Sequence, residues 1–573
     1  MGQQDLKIHE LVAKIERGEI RLPEMQRQYV WRSTRVRDLL DSLYRGYPSG
    51  TILTWEADGQ VATRDFAVGQ EVSPQRNYQL LLDGQQRLTS LSAIIRGEPV
   101  HVRGRKRPID ILFNLEHPDA LEVVTEVNEE DDGDNDDDTQ DSVEEADATE
   151  DELLKRFNKM AFVVATNKLA SLPHWVSVTQ VFKENSDKPF LIKAGATSMD
   201  DPRFDKYSDR LKKLRSIKDY TYRVHFLERE KSYEEVTEIF VRVNSLGAKL
   251  RSSDLALAQI TATWRNSLKT FQSLQEECKE FGFDFELSLY LRIMVAFATG
   301  QSRFKSVANL SQDDLEQSWL ETKKAVSFAF NFIRSNLGID SPVLLSSPFI
   351  LVTVAYFGHC KKYELSSSEQ RQLRYWILTA NAKARYSRGS SETFLDQDLG
   401  VTRKSGDIPS LISLLRTQAG RLEIATNDLE NRNSRSAYFK TMFLAFRKDE
   451  AMDWQDQIVI SVKNTGAQHA LQFHHIFPQD VLKKAGRSPQ EINDICNLAF
   501  IGGKTNRRIS NKEPALYLPD VVKNAGEDAL RKQCIPTNPE LWAVGRYDDF
   551  LAARRELVAN RLNAFLEHEV STS

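Results

Sequence analysis

Cysteine is scarce. There are four in 573 residues, Cys278, Cys360, Cys496 and Cys534, and none has paired spacing. That excludes a disulfide framework and a zinc ribbon, and it fits a reducing cytosol. No apolar segment follows a basic start, so no signal peptide is expected. The most apolar stretch, residues 348–357, is too short to span a bilayer and reads as a buried helix. A cytoplasmic protein without a membrane partner is the expectation. There is no Gly-x-x-x-x-Gly-Lys phosphate loop, so any nucleotide chemistry would use other machinery. No internal repeat stands out. Histidine is also rare, with 10 in the chain.

One stretch lacks positive charge altogether. Between Glu126 and Glu152 there are 16 acidic residues and no Lys or Arg. Setting those sixteen charges aside turns the net charge of -5 into +11. The remainder is therefore basic, which suits a polyanionic partner. The acidic run is poor in hydrophobics and is expected to be a disordered insertion.

What remains is an ordinary globular composition, 40% hydrophobic and 28% charged. At about 150 residues per domain it is long enough for three or four domains. Apolar residues at three-and-four spacing place helices over 8–15, 33–44, 204–217 and 233–243. Residues 51–55, 78–82, 162–165 and 222–227 read as strands. From about 252 to 421 almost every pattern is helical. The expected class is a predominantly helical α+β multidomain protein. Its expected parts are 1–250 with the acidic insertion at 126–152, a helical domain at 251–420, and a C-terminal domain at 421–573.

Two stretches carry chemistry. In Tyr78-Gln79-Leu80-Leu81-Leu82-Asp83-Gly84-Gln85-Gln86-Arg87, an apolar strand runs through Asp-Gly into a helix. Free amides at a helix start attract phosphate, and glycine permits close backbone approach. Arg87 could fork onto phosphate oxygens. Near the C-terminus, Gln472-Phe473-His474-His475-Ile476-Phe477-Pro478 is followed by Asn497 and then by Lys504-Thr505-Asn506-Arg507-Arg508. Neutral imidazole ligates metals or accepts protons near neutral pH. Successive strand side chains point to opposite faces, so one metal would not take both rings. A ligand and a general base is the natural division. Within the helical part, the basic loop starting at Arg385 is a candidate contact for DNA backbone or a solvated interhelix turn, and Asp396 and Asp398 read as helix caps or minor metal contacts.

The C-terminal pattern resembles the HNH nucleases, the ββα-metal or His-Me finger family. The resemblance implies that His474 and Asn506 ligate a metal and His475 is the base that activates water. Asn497 would brace the loop, and Lys504, Arg507 and Arg508 would face phosphate. Many members have Asp where this chain has His474, and His where it has Asn506. Magnesium prefers oxygen ligands while imidazole suits softer ions, so Mg2+ and Mn2+ both stay open.

The N-terminal motifs occur in one order: Gln26-Arg27-Gln28-Tyr29-Val30-Trp31, the Asp83–Arg87 turn, then Phe240-Val241-Arg242-Val243-Asn244. Together they resemble the N-terminal, ParB/sulfiredoxin-like domain of GmrSD-type restriction proteins. The resemblance implies a nucleotide pocket formed by Asp83, Gly84, Gln85, Gln86 and Arg87. Gln26, Arg27, Tyr29 and Trp31 would line the same cleft, with Asn244 facing it. Asp83 would reach a magnesium or a water, and Arg87 would neutralise phosphate. The bound triphosphate could be GTP, CTP, ATP or UTP.

For the whole chain the resemblance implies a type IV antiphage endonuclease. It would cut or nick double-stranded phage DNA carrying modifications, coupled to nucleotide binding or hydrolysis. Cutting both strands with one site needs a homodimer or two encounters. Two rivals stay open at this stage. One is a ParB-like nucleotide-dependent DNA-binding switch with an inactive nuclease domain. The other is an NTPase or ribonuclease component of a toxin pair.

Overall fold

The computed structural model describes residues 2–23, 31–58, 63–64, 77–102, 108–119, 157–246, 251–387, 389–463 and 471–567. The acidic run and Gln26, Arg27 and Tyr29 lie outside the described residues. So does the side chain of Asn244, although its backbone belongs to the helix Tyr233–Leu246. The class is α+β, with helices prevailing over small sheets. Two compact units divide the chain, 1–268 and 269–573.

Among its described residues the first unit has nine strands. They are β1 (Gly2–Lys7), β2 (Ile20–Pro23), β3 (Ile52–Asp58), β4 (Thr63–Arg64), β5 (Asn77–Asp83), β6 (Ile111–Asn114), β7 (Phe162–Val164), β8 (Trp175–Ser177) and β9 (Thr221–Leu227). Six form a mixed sheet in the order β1-β9-β3-β5-β2-β4. In it β3 runs antiparallel to β5 but parallel to β9, and β2 runs parallel to β5. The other three form an antiparallel sheet, β7-β6-β8.

Helix Ile8–Glu16 buries Ile8, Leu11, Val12 and Ile15, the i, i+3, i+4, i+7 stripe that a sheet-covering helix requires. Helix Ser33–Arg45 ends at Gly46, whose φ of 76° is the left-handed stop that glycine makes without strain. Tyr44, near its end, packs edge-on against Phe113 and Phe162 of the smaller sheet, at 5.2 and 5.6 Å. Its hydroxyl lies 3.1 Å from His117 Nε2, so the buried phenol has a polar partner.

Among its described residues the second unit is helical apart from one two-stranded sheet, β10 (Leu471–His475) and β11 (Leu498–Gly502). The helices expected over 251–420 are present, but the unit that contains them from Lys269 onward also contains 421–573. Packing explains this. Helix Ser367–Ala382 lies against both Ala437–Lys448 and Tyr547–Glu567, so one core serves both stretches.

Arg385 corrects the sequence reading. It was expected on a DNA-facing loop, yet it is 1% exposed. Its guanidinium grips Asp398 with two bonds of 2.5 and 2.7 Å and donates to Gln418. Tyr386 also donates to Asp398, and lies 2.7 Å from Thr353. A buried carboxylate demands such partners, and this one takes Arg385 away from solvent. Asp396 accepts from Ser302 and Arg303 rather than capping its own helix.

Candidate functional site

In the second unit β10 and β11 pair antiparallel, with His474 opposite Ala499 and His475 opposite Leu498. The helix Gly503–Ile509 follows β11 without a loop. β11 is an apolar strand, buried through Leu498, Ala499, Phe500 and Ile501. Phe500 packs on Phe439, Phe443 and Phe446 at 4.8–6.0 Å. Those three lie on one face of Ala437–Lys448, so the two strands stand on an aromatic floor.

His474 and Asn506 meet across this ββ-helix unit, with His474 Nδ1 2.8 Å from Asn506 Oδ1. On its other side His474 Nε2 lies 3.2 Å from the Tyr517 hydroxyl. That hydroxyl also lies 3.0 Å from the Ile476 carbonyl, to which it can donate. Burial, somewhat countered by the Asn506 contact, holds the imidazole at a pKa of about 4, so it is neutral at pH 7. With the proton on Nδ1 the Asn506 contact is an ordinary hydrogen bond. An imidazole nitrogen and an amide oxygen are also both metal donors, and ligand distances of about 2.1 Å at a right angle put two donors about 3 Å apart, so the pair would fit a cation once Nδ1 gives up that proton. Among the described residues no group of three or more His, Cys, Asp or Glu is placed to hold a metal ion.

The neighbouring ring faces elsewhere. His475 Nε2 lies 3.0 Å from Asn493 Oδ1, and burial lowers its pKa. Asn497 is fully buried and its amide ties the loop after β10. Its Oδ1 accepts from Phe477 N–H at 2.9 Å, and its Nδ2 donates to the carbonyls of Phe477 and Ile492 at 3.1 and 3.0 Å. Lys504, Arg507 and Arg508 are exposed on the helix, and Lys504 pairs with Asp456 at 3.1 Å.

Several residues shaping the site have no signal in the sequence. Asp453 accepts from Gly502 N–H and Thr505 Oγ1, both at 2.7 Å, and so fixes the junction of β11 and the Asn506 helix. Burial would raise its pKa, but these bonds and those from the 455 and 456 amides outweigh it and hold it low. Trp454 stands edge-on to His474 at 5.9 Å. Gln533 pairs with both backbone groups of Phe500, closing the free edge of β11. Arg554, fully buried, donates to the carbonyls of Cys496, Leu498 and Gln533. An isolated Asp, Gln or Arg in sequence gives no hint of such pairing.

The first-unit motif is a second candidate. β5 delivers Asp83, Gly84 turns with φ 94°, and helix Gln85–Ile95 begins at once. That φ is a backbone conformation other side chains adopt only with strain, and a Cβ there would also displace Ile52 Cδ1, so the turn favours glycine. Gln85 and Gln86 are buried, and Gln86 Oε1 accepts from Trp31 N–H at 3.2 Å, joining the first two N-terminal motifs. Arg87 turns inward. It donates to the carbonyls of Ser49 and Thr51 at 2.6 and 2.7 Å and to Asp83 at 3.1 Å. Gly50, with φ 93°, leaves room for it. In this arrangement Arg87 and Asp83 satisfy each other and the 49–51 loop.

Among the described residues no helix is long and apolar enough to cross a membrane. An uncharacterized protein of Methanocaldococcus jannaschii is 25% identical over 97% of this chain and 96% of its own length, so similarity extends through both units. Residues 8–261, nearly the whole first unit, match the family model described as the GmrSD restriction endonuclease, N-terminal domain. The first unit is thus similar to the N-terminal domain of GmrSD restriction endonucleases.

Proposed function

We propose that the chain is a metal-dependent DNA endonuclease whose second unit carries the cutting site and whose first unit binds a nucleoside triphosphate and senses modified phage DNA. The observation that carries the nuclease reading is the 2.8 Å approach of His474 and Asn506 at the ββ-helix junction, with His475 the next residue on β10. The likeness of the first unit to a restriction-family N-terminal domain points the same way.

Each residue then has a role. His474 Nδ1 and Asn506 Oδ1 would hold Mg2+ or Mn2+, which when bound supplies charge stabilisation at the leaving oxygen. His475, neutral at pH 7, takes the proton from the attacking water. Lys504, Arg507 and Arg508, exposed on the helix that carries Asn506, hold the phosphodiester. Asn497 keeps the His475 loop in place. In the first unit the amides after Gly84, at the start of an 11-residue helix, receive phosphate. Arg87 would serve there only after leaving the Ser49 and Thr51 carbonyls.

The test is a panel of modified and plain phage DNAs incubated with the full chain, Mg2+ or Mn2+, and each of the four triphosphates. Metal-dependent cutting that favours modified DNA and responds to one triphosphate is the expected result. RNA cleavage with intact DNA would replace this reading with the toxin alternative.

A further inference from the structure

We infer that Asn493 is the positioning residue of the candidate nuclease site, fixing which nitrogen of His475 is free to accept a proton. The inference rests on the nuclease reading only for its catalytic consequence. The geometry stands by itself.

Asn493 has a determined amide orientation. Its Nδ2 donates to the Pro489 carbonyl at 2.9 Å, which turns Oδ1 toward His475. Oδ1 lies 3.0 Å from His475 Nε2. A carbonyl oxygen only accepts, so Nε2 must carry the hydrogen. Gln479 competes for the same ring nitrogen, its Nε2 lying 3.2 Å from His475 Nε2 and 3.4 Å from Asn493 Oδ1. The Asn493 contact is the shorter one and its orientation is fixed by Pro489, so it sets the tautomer and leaves Nδ1 as the bare nitrogen.

The platform under Asn493 is fixed from two sides. Asn497 Nδ2 holds the carbonyl of Ile492, the residue just before it, at 3.0 Å. The Tyr547 hydroxyl holds the Glu491 carbonyl at 2.7 Å. Asn497 thus connects the loop after His475 to the residue that orients His475. Its bracing role and the tautomer choice belong to one structure.

The test has two arms on the full chain. In the first, ring-15N-histidine labelling and two-bond 15N–1H correlation report which nitrogen of His475 is protonated, with His475→Gln assigning the signal. The wild type is expected to show the Nε2–H form. Asn493→Leu, which fills the space without an acceptor, is expected to show a mixture. Asn493→Asp, which still accepts, is expected to keep the Nε2–H form. In the second arm, nicking of supercoiled plasmid with Mn2+ is expected to lose about 10–100-fold in kcat in Asn493→Leu, with KM within about twofold. Asn493→Asp should recover most of that loss. A wild-type Nδ1–H form, or a Leu variant with an unchanged tautomer, overturns the inference. Absence of nicking by the wild type with the expected tautomer pattern would instead overturn the nuclease reading and leave the positioning role intact.

Discussion

Replacing Asn497 with Ala probes the brace on which the site geometry depends. The substitution removes three buried side-chain hydrogen bonds at once. Phe477 N–H loses its acceptor, and the Phe477 and Ile492 carbonyls lose a donor. An unsatisfied buried group costs about 1–3 kcal/mol. Partial relaxation brings the expected sum to about 3 kcal/mol, since the three groups share one small loop. For a unit of this size that corresponds to a fall of roughly 6 °C in the transition of the second unit. Differential scanning calorimetry reads it. Asn497→Asp should not rescue, because its carboxylate would meet two carbonyl oxygens. Cutting should fall by about 100-fold in the folded fraction, the scale of a 1 Å misplacement of a catalytic group. A transition within about 1 °C of wild type would refute the brace, and so would full rescue by Asp.

Three further outcomes follow from the same structure. Arg385→Leu should destabilise the second unit by about 3–5 kcal/mol, since it strands the buried Asp398 carboxylate, yet leave the salt dependence of DNA binding by the folded protein unchanged. Arg508→Ala should do the reverse, sparing stability and lowering the slope of log affinity against log salt by about one, read by fluorescence anisotropy. Stability should also fall with acid. His474 has a folded pKa of about 4 against about 6.5 unfolded, so the unfolded chain binds more protons between these values. Its contribution is complete above about pH 6.5 and is lost as pH falls toward 4, reaching about 2 kcal/mol at pH 5. His117 in the first unit has the same depressed value from burial, so both thermal transitions should drop between pH 7 and 5. A flat profile would contradict the buried neutral imidazoles.

The elements with strong periodicity were legible in the sequence. Helices Ile8–Glu16, Ser33–Arg45 and Tyr233–Leu246 and strands β5 and β9 lie where apolar spacing and punctuation place them. β1 was missed, because its single buried residue, Leu6, gives no alternation, and it is a strand only by pairing with β9. Local pattern does not encode such a partner. The Arg385 loop failed for a related reason. A run of Arg, Tyr and Ser looks solvated until a distant Asp398 is found to be buried against it. The site divides in the same way. His474, His475, Asn497 and Asn506 stood out by residue type and order. Asn493, Tyr517, Asp453 and Arg554 act through carbonyls and amides that only the folded chain brings near.

The most direct measurement is metal-dependent nicking of supercoiled plasmid by the wild type, His475→Ala and Asn506→Ala. Isothermal titration of Mn2+ into each should run alongside. Nicking should require Mg2+ or Mn2+ and vanish in His475→Ala while that variant still binds Mn2+. Asn506→Ala should lose both metal and cutting. Undiminished nicking by His475→Ala, or Mn2+ binding indifferent to Asn506, would contradict the account.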